Sequence, residues 1–463
     1  MNEVMLNDID ILISRKISKS KAEKARILPF KEDGGKVYML CELHDESICK
    51  EMQFLYGCTI CEIFISNDKL KYLIKKVFFS QDNNKIEDEI IWEAIDKKAS
   101  DLHFEPYKDI VYVRVRIDGI LSLLYIITKE EYSAILSRIK IKSSLDITEH
   151  RRPQDGKTMD IDGNTYDLRV SIIPVVFGEK IVLRILYNNG FNYCIDNLKL
   201  LPKQRLELEK IINKNTGLVI VNGPTGSGKS TTLYTILNYV NKSEVNVVTL
   251  EDPVEVIING VNQMMVNSKE GVSFANGLRS IMRQDPDVIM VGEVRDEETA
   301  VMAVRAALTG HKVYTTIHST EPREVYLRLE EMGIKSYLIR ESLVGIISQR
   351  LIKMLCDSCK EEEIITYRGS RAKIYKRGIG CEKCNFTGYL GRALIISINE
   401  ITKDVKKKLV KIYDDNTILT NIQMVDNLNN LLINGKISRL DYMEFIDREE
   451  LEFDYEGSSK TEG

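Results

Sequence analysis

Residues 223–230 read Gly-Pro-Thr-Gly-Ser-Gly-Lys-Ser, a match to GxxxxGK[ST], and no other stretch constrains the fold as tightly. The pattern demands a buried strand before it and a helix after it. The apolar run LVIV at 218–221 supplies the strand. Leu233, Ile236, Leu237 and Val240 form one apolar stripe on a helix that starts at Lys229. Glycines let successive backbone N–H groups curl around phosphate oxygens, and the helix N-terminus adds positive potential. The expected nucleotide-binding residues are Gly223, Pro224, Thr225, Gly226, Ser227, Gly228, Lys229, Ser230 and the adjoining Thr231. Lys229 reaches the β- and γ-phosphates and the Ser230 hydroxyl ligates Mg²⁺, so ATP and Mg²⁺ are the expected cofactors.

From about Gly217 short apolar runs alternate with helical stretches: LVIV, VNVVTL, DVIMV and KVYTTI, with helices expected from Lys229 and Asp296. Strands alternating with helices imply parallel βαβ units. In such sheets ligands bind beyond the carboxyl ends of the strands. Glu251, Asp252 and Glu255 follow one strand in VVTLEDPVE, and Glu293 follows another in DVIMVGEVRD. Hydrolysis needs a carboxylate to orient water and an acidic surround for Mg²⁺, which favours Glu251 and Glu293 as catalytic. Asp252, Glu255 and Asp296 serve equally well as helix caps. The position at which such a strand ordinarily ends in Asp is Gly292, so no side chain there ligates metal. His318 closes KVYTTIH at a strand end and can sense the γ-phosphate through a hydrogen bond. His311 suits capping as well as catalysis, and His44, His103 and His150 are assigned structural roles.

Upstream, KAEKARILPF, KVYMLCEL and CTICEIFIS read as a small α/β module. Residues 110–117, IVYVRVRI, alternate as a half-buried strand does. DLRVSIIPVV and GEKIVLRIL are two further strands turning at Gly178, so the second module is strand-rich with helices.

Cys356-x-x-Cys359 and Cys381-x-x-Cys384 are two knuckles at a spacing that suits a tetrahedral zinc site. Cys58-x-x-Cys61 has no well-spaced second pair, because Cys41 and Cys49 fit poorly. Nine cysteines, an odd number, argue against a disulfide framework. Lys plus Arg is 65 and Asp plus Glu is 69, a net charge of −4. That balance, without a basic block interleaved with aromatics, argues against nucleic acid as a partner. No segment approaches the ~20 apolar residues that span a bilayer. The opening MNEVMLNDID has no apolar signal core, so the expected location is cytoplasmic, with peripheral membrane contact only.

Together these motifs resemble the bacterial secretion ATPase family, the P-loop motors of type IV pilus assembly and type II secretion. SDLHFEPYKD and VRIDGIL match the entry to the family's second N-terminal domain, and LRVSIIPVVFGEKIVLRIL its arginine-bearing stretch. TLEDPVE matches the Asp box, FANGLRSIMRQDPDVIMVGEVRD the Walker B region, and ALTGHKVYTTIHS the His box. ISQRL, the four cysteines and GYLGRALIISI complete the pattern, while HRRPQDGK and HSTEP depart from the usual strings.

The resemblance implies an α/β chain: a RecA-like P-loop motor preceded by a PAS-like α+β domain and a small N-terminal α/β module, with a tetracysteine zinc insert and a C-terminal helical segment. The division is 1–85 adaptor-like, 86–190 arginine-bearing and PAS-like, 191–350 motor, 351–395 zinc-binding, 396–455 helical and 456–463 disordered tail. It implies a hexameric ATPase at the cytoplasmic face of an inner-membrane platform protein, powering pilus or pseudopilus assembly. Type II secretion is the alternative, and a zinc-containing nucleic-acid-binding ATPase is the alternative of another class. Glu251 then polarises water, and Glu293 helps hold the metal environment. The motor's own motifs supply no obvious guanidinium for the γ-phosphate, and Arg169 and Arg184 match the family's interdomain arginines. Zn²⁺ is the third expected cofactor, held by Cys356, Cys359, Cys381 and Cys384.

Overall fold

A computed structural model describes residues 6–78, 86–161, 164–187, 193–267, 270–367, 370–413, 415 and 417–451. The tail assigned to 456–463 lies outside these. The chain divides into two compact units, Met1–Asn188 and Asn189–Gly463.

The first unit begins with strands β1 (Ile27–Asp33), β2 (Lys36–Cys41) and β3 (Thr59–Phe64), hydrogen-bonded in that order. β2 and β3 are parallel, and the crossover between them contains the helix Glu46–Tyr56. Asp45 starts that helix by accepting from the backbone N–H groups of Ser47 and Ile48. Leu28, Phe30, Met39 and Leu40 bury against Leu70, Leu73 and Ile74 of the helix Asn67–Val77.

A six-stranded antiparallel sheet follows: β4 (Asp101–Pro106), β5 (Ile110–Ile117), β6 (Ile120–Thr128), β7 (Gln154–Ile161), β8 (Asn164–Val175) and β9 (Gly178–Leu186). Its order is β6-β5-β4-β9-β8-β7. Alternation decides which face is dry. Leu102, Phe104, Val113, Val115, Leu168, Val170, Leu183 and Ile185 pack with the helices Ile86–Asp96 and Lys129–Lys142. The intervening residues carry charge. One rung runs Lys157, Arg169, Arg184, Asp101, Arg116 across five strands.

The second unit holds β10 (Gly217–Asn222), β11 (Val247–Glu251), β12 (Asn262–Met265), β13 (Val288–Val291), β14 (Lys312–Ile317), β15 (Leu343–Leu355), β16 (Glu361–Tyr367), β17 (Ser370–Lys376) and β18 (Tyr389–Glu400). Seven of them form one sheet, β12-β11-β13-β14-β10-β15-β18, parallel except for the last pair. β10 is buried along its whole length, as a parallel strand covered on both faces must be. Leu250, Ile289 and Val313 face one apolar layer, and Val219, Val221 and Tyr314 the other. Fully burying one such aliphatic side chain contributes about 1.5–3 kcal/mol.

Residues 350 and 395, used as borders in the sequence division, fall inside β15 and β18. These two strands pair over most of their length. The helices Gln423–Ile433 and Arg439–Arg448 cover that pair, with Met424, Leu428 and Phe445 packed on Ile352 and Ile395. β16 and β17 form a separate hairpin. Among the described residues no helix is long and apolar enough to cross a membrane.

Candidate nucleotide and metal sites

The loop after β10 curls because its glycines take positive φ: Gly226 at 77° and Gly228 at 88°. Gly223 is also fixed by space. A Cβ there would meet the Gln349 carbonyl oxygen at 2.5 Å and Ser227 Oγ at 2.6 Å. The helix Lys229–Val240 starts directly after Gly228. Lys229 is buried, and its Nζ donates to the carbonyls of Gly223 (2.8 Å) and Pro224 (2.9 Å). These neutral acceptors are ones that phosphate oxygens can replace with a stronger, charge-assisted bond. A cavity of about 700 Å³ opens beside the loop, lined by Thr225, Gly226, Ser227, Glu324, Arg350 and Glu449 among others.

Burial pulls the Lys229 ammonium down to about 8, against the opposing pull of Glu293. Phosphate binding needs the charged form. ATP affinity is therefore expected to be level below about pH 8 and to weaken by up to tenfold per pH unit above it. Titration of a non-hydrolysable ATP analogue across that range checks this. An affinity unchanged well into the alkaline limb contradicts it.

Glu251 ends β11 and is buried. Three donors converge on its carboxylate: Tyr234 Oη (2.5 Å), Thr249 Oγ1 (2.6 Å) and Gln263 Nε2 (3.0 Å). Tyr234 stands on the phosphate-loop helix itself, so that helix and the Glu251 strand are tied. Glu293 lies just beyond β13, paired with Arg295 at 2.5 Å, and His318 Nε2 lies 3.6 Å from its other oxygen. Burial and the nearby Lys229 charge lower the His318 pKa, against the pull of Glu293. Lys229, Glu293 and His318 are thus one electrostatic group at the carboxyl ends of β10, β13 and β14. His311 is elsewhere: its Nδ1 lies 2.9 Å from the Ala306 carbonyl at the end of the helix Glu297–Leu308.

β15 contributes Gln349 and Arg350, from the string ISQRL, to the back of the loop. Gln349 Nε2 donates to the Ser227 carbonyl at 2.8 Å, clamping the loop from behind. Arg350 donates to the carbonyls of Gln349 (3.0 Å) and Thr320 (2.7 Å) and pairs with Glu449 at 2.6 Å. Asn222 joins Ser348 and Ser319 beneath the loop. The available signal was a polar Ser-Gln-Arg triplet interrupting an apolar strand.

Arg169 and Arg184 lie in the first unit, directly opposite each other on β8 and β9. Arg184 donates to Asp101 at 3.1 Å and is largely exposed. Arg169 Nε is buried and makes no hydrogen bond.

The four cysteines converge. Cys356 and Cys381 Sγ atoms are 3.8 Å apart, Cys359 and Cys384 3.8 Å, and Cys381 and Cys384 3.9 Å. Zinc–sulfur bonds of about 2.3 Å in a tetrahedron give sulfur–sulfur edges of about 3.8 Å. Backbone N–H groups of Cys381 (3.2 Å) and Gly388 (3.3 Å) donate to Cys384 Sγ, as thiolate ligands require. The residues fit zinc.

A family model described as type II/IV secretion system protein matches residues 80–439. The chain is 43% identical over 311 residues to the type II secretion system protein E of Dickeya dadantii, a match covering 65% of this chain and 62% of that one. It therefore spans less than two thirds of that relative. It is 35% identical over 454 residues to the type IV pilus assembly ATPase PilB of Acinetobacter baylyi, covering 87% of this chain and 78% of that one. A crystal structure of the pilus retraction motor PilT with bound ADP is similar at 27% identity and a TM-score of 0.53, over 77% of this chain and 96% of that one.

Proposed function

The chain belongs to the type II/IV secretion system protein family, and from that premise we propose that it is an ATP-hydrolysing motor for the assembly of pili or a pseudopilus. The match to a pilus assembly ATPase over 87% of the chain supports the pilus reading. The 43% identity to a type II secretion protein supports secretion as the second reading. The observation that carries the activity is buried Lys229, resting on two loop carbonyls within electrostatic reach of Glu293.

In this reading Lys229 and the loop N–H groups hold the β- and γ-phosphates. Ser230 holds Mg²⁺, which neutralises phosphate charge when bound. Glu251, fixed by Tyr234, Thr249 and Gln263, accepts a proton from the attacking water. Glu293 helps hold the metal environment, and His318 senses the γ-phosphate through a hydrogen bond. Residues 1–85 act as adaptor, 86–190 as the PAS-like arginine domain, 191–350 as motor, 351–395 as zinc module and 396–455 as helical support. Six copies form the ring, docked on a membrane platform protein at the cytoplasmic face.

Arg169 and Arg184 reach the nucleotide through domain closure or from a neighbouring subunit. Replacing either with Ala is expected to leave folding and ATP binding intact. Turnover falls, and more than for Arg114→Ala or Arg116→Ala. Steady-state rates under ring-forming conditions check this, and parent rates in both variants contradict it.

The four cysteines hold one structural zinc, because four thiolates leave no position open for catalysis. Replacing Cys356 and Cys381 together with Ser is expected to lower the thermal midpoint of the Asn189–Gly463 unit and release that zinc. An unchanged midpoint contradicts the assignment. The function itself is tested by capture from membranes with a Glu293→Gln trap. ATP-dependent recovery of a polytopic platform protein supports it. Recovery of nucleic acid, or capture indifferent to ATP, overturns it.

A further inference from the structure

A second group of metal-ligating side chains lies in the N-terminal module, outside everything described above. His44, Cys49 and Glu62 present ligand atoms that all lie within 4.8 Å of one another. His44 Nδ1 stands 2.7 Å from one Glu62 oxygen. Cys41 Sγ stands 3.8 Å from the other. Sequence spacing hid this group, because Cys41 and Cys49 do not form a CxxC knuckle and Glu62 arrives from a later strand.

The fold explains the convergence. β2 ends at Cys41, the turn carries His44, and Cys49 lies in the first turns of the helix Glu46–Tyr56. β3 returns parallel to β2 with Glu62 opposite Met39, which sets Glu62 and Cys41 on the same face as diagonal neighbours. One β-α-β crossover therefore gathers a thiol, an imidazole and a carboxylate, with the Cys41 thiol beside the carboxylate.

Taken alone, the His44–Glu62 contact would be an ordinary, solvent-screened surface pair. Two thiols gathered on the same carboxylate are not ion-pair chemistry. Cys41 is buried and Glu62 half-buried, while His44 is exposed and leaves an entry path. Bonds of about 2.0–2.1 Å to nitrogen or oxygen and about 2.3 Å to sulfur make ligand–ligand edges of about 3.3–3.8 Å. The Cys41–Glu62 separation of 3.8 Å already lies at that edge length, the 2.7 Å His44–Glu62 contact is shorter, and the three ligand atoms of His44, Cys49 and Glu62 lie within 4.8 Å of one another. Sulfur with imidazole selects zinc-like ions over Ca²⁺ or Mg²⁺.

We propose that the N-terminal β-α-β unit binds a zinc-type transition-metal ion through His44, Cys49 and Glu62, with Cys41 as the fourth donor. The ion ties the end of β2, the helix start and β3 together, and so stiffens a module whose sheet has only three strands.

The test uses the full chain, loaded with Zn²⁺ and freed of excess by gel filtration. Elemental analysis is expected to find two zinc ions per chain in the wild type. His44→Ala with Cys49→Ser loses one, and Cys356→Ser with Cys381→Ser loses the other, so the two sites fail separately. Zinc absorption spectroscopy of the cysteine-module variant is expected to show nitrogen or oxygen at about 2.0–2.1 Å beside sulfur at about 2.3 Å. Because His44 is exposed, His44→Ala alone serves as a variant that keeps the fold and is expected to weaken zinc retention against a chelator. A single zinc in the wild type that is lost with Cys356→Ser and Cys381→Ser overturns the proposal. So does an unchanged count in the His44/Cys49 variant, or an all-sulfur shell in the cysteine-module variant.

Discussion

Lys229→Ala is expected to abolish ATP binding, and with it all turnover. The side chain is buried, its Nζ already sits on the Gly223 and Pro224 carbonyls, and the cavity is lined by the loop residues Pro224 to Ser227. Alanine removes the one full positive charge the loop supplies to the β- and γ-phosphates. Backbone N–H groups and the helix N-terminus remain, but they carry only partial charges. The fold has little to lose, because a buried ammonium is itself costly to hold in the absence of an anion. Equilibrium binding of a fluorescent ATP analogue, beside a thermal unfolding curve, separates the two effects. Binding at wild-type strength by a folded variant would show that the loop does not hold the nucleotide.

Glu251→Gln is expected to keep ATP and lose about 10²–10⁴ in turnover, the usual range for a lost proton acceptor. The site has a particular reason to be intolerant. Tyr234, Thr249 and Gln263 all donate to this carboxylate. An amide can offer only one acceptor oxygen, so at least one of these donors faces an NH₂ group. Some loss of stability accompanies the change, of about 1–3 kcal/mol for an unsatisfied buried group. Comparing kcat with nucleotide affinity distinguishes the outcomes. Parent turnover in a folded Glu251→Gln variant removes Glu251 from the mechanism and leaves Glu293, whose Gln variant should behave similarly, as the acceptor.

What the sequence disclosed follows from how local each feature is. The phosphate loop, its strand and its helix are contiguous, and the structure places them as the motif requires. The cysteine knuckles are short turns, so their pairing was legible from spacing. Glu251, Glu293 and His318 are legible as strand-end residues from the alternating pattern alone, and the structure places them at the carboxyl ends of β11, β13 and β14. Gln349 and Arg350 carry no such local signal, because their approach to the loop depends on the register that sets Val221 beside Ile347 and Asn222 beside Ser348. β18 joins the main sheet after the intervening β16–β17 hairpin and the cysteines that flank it, which no local pattern announces. Tyr234 looked like one more residue of a helical segment, and only the neighbouring strand reveals its bond to Glu251. His44 read as structural because its partners, Cys49 and Glu62, are brought to it by a crossover.

The central claim is that this chain hydrolyses ATP at the loop built around Lys229. It is tested most directly by phosphate release from ATP by the purified full chain, with and without Mg²⁺, beside Lys229→Ala purified in the same way. The account predicts steady release that requires Mg²⁺ and is absent from the variant. Release that is the same in both proteins, or none from the wild-type chain in its ring-forming state, would contradict it.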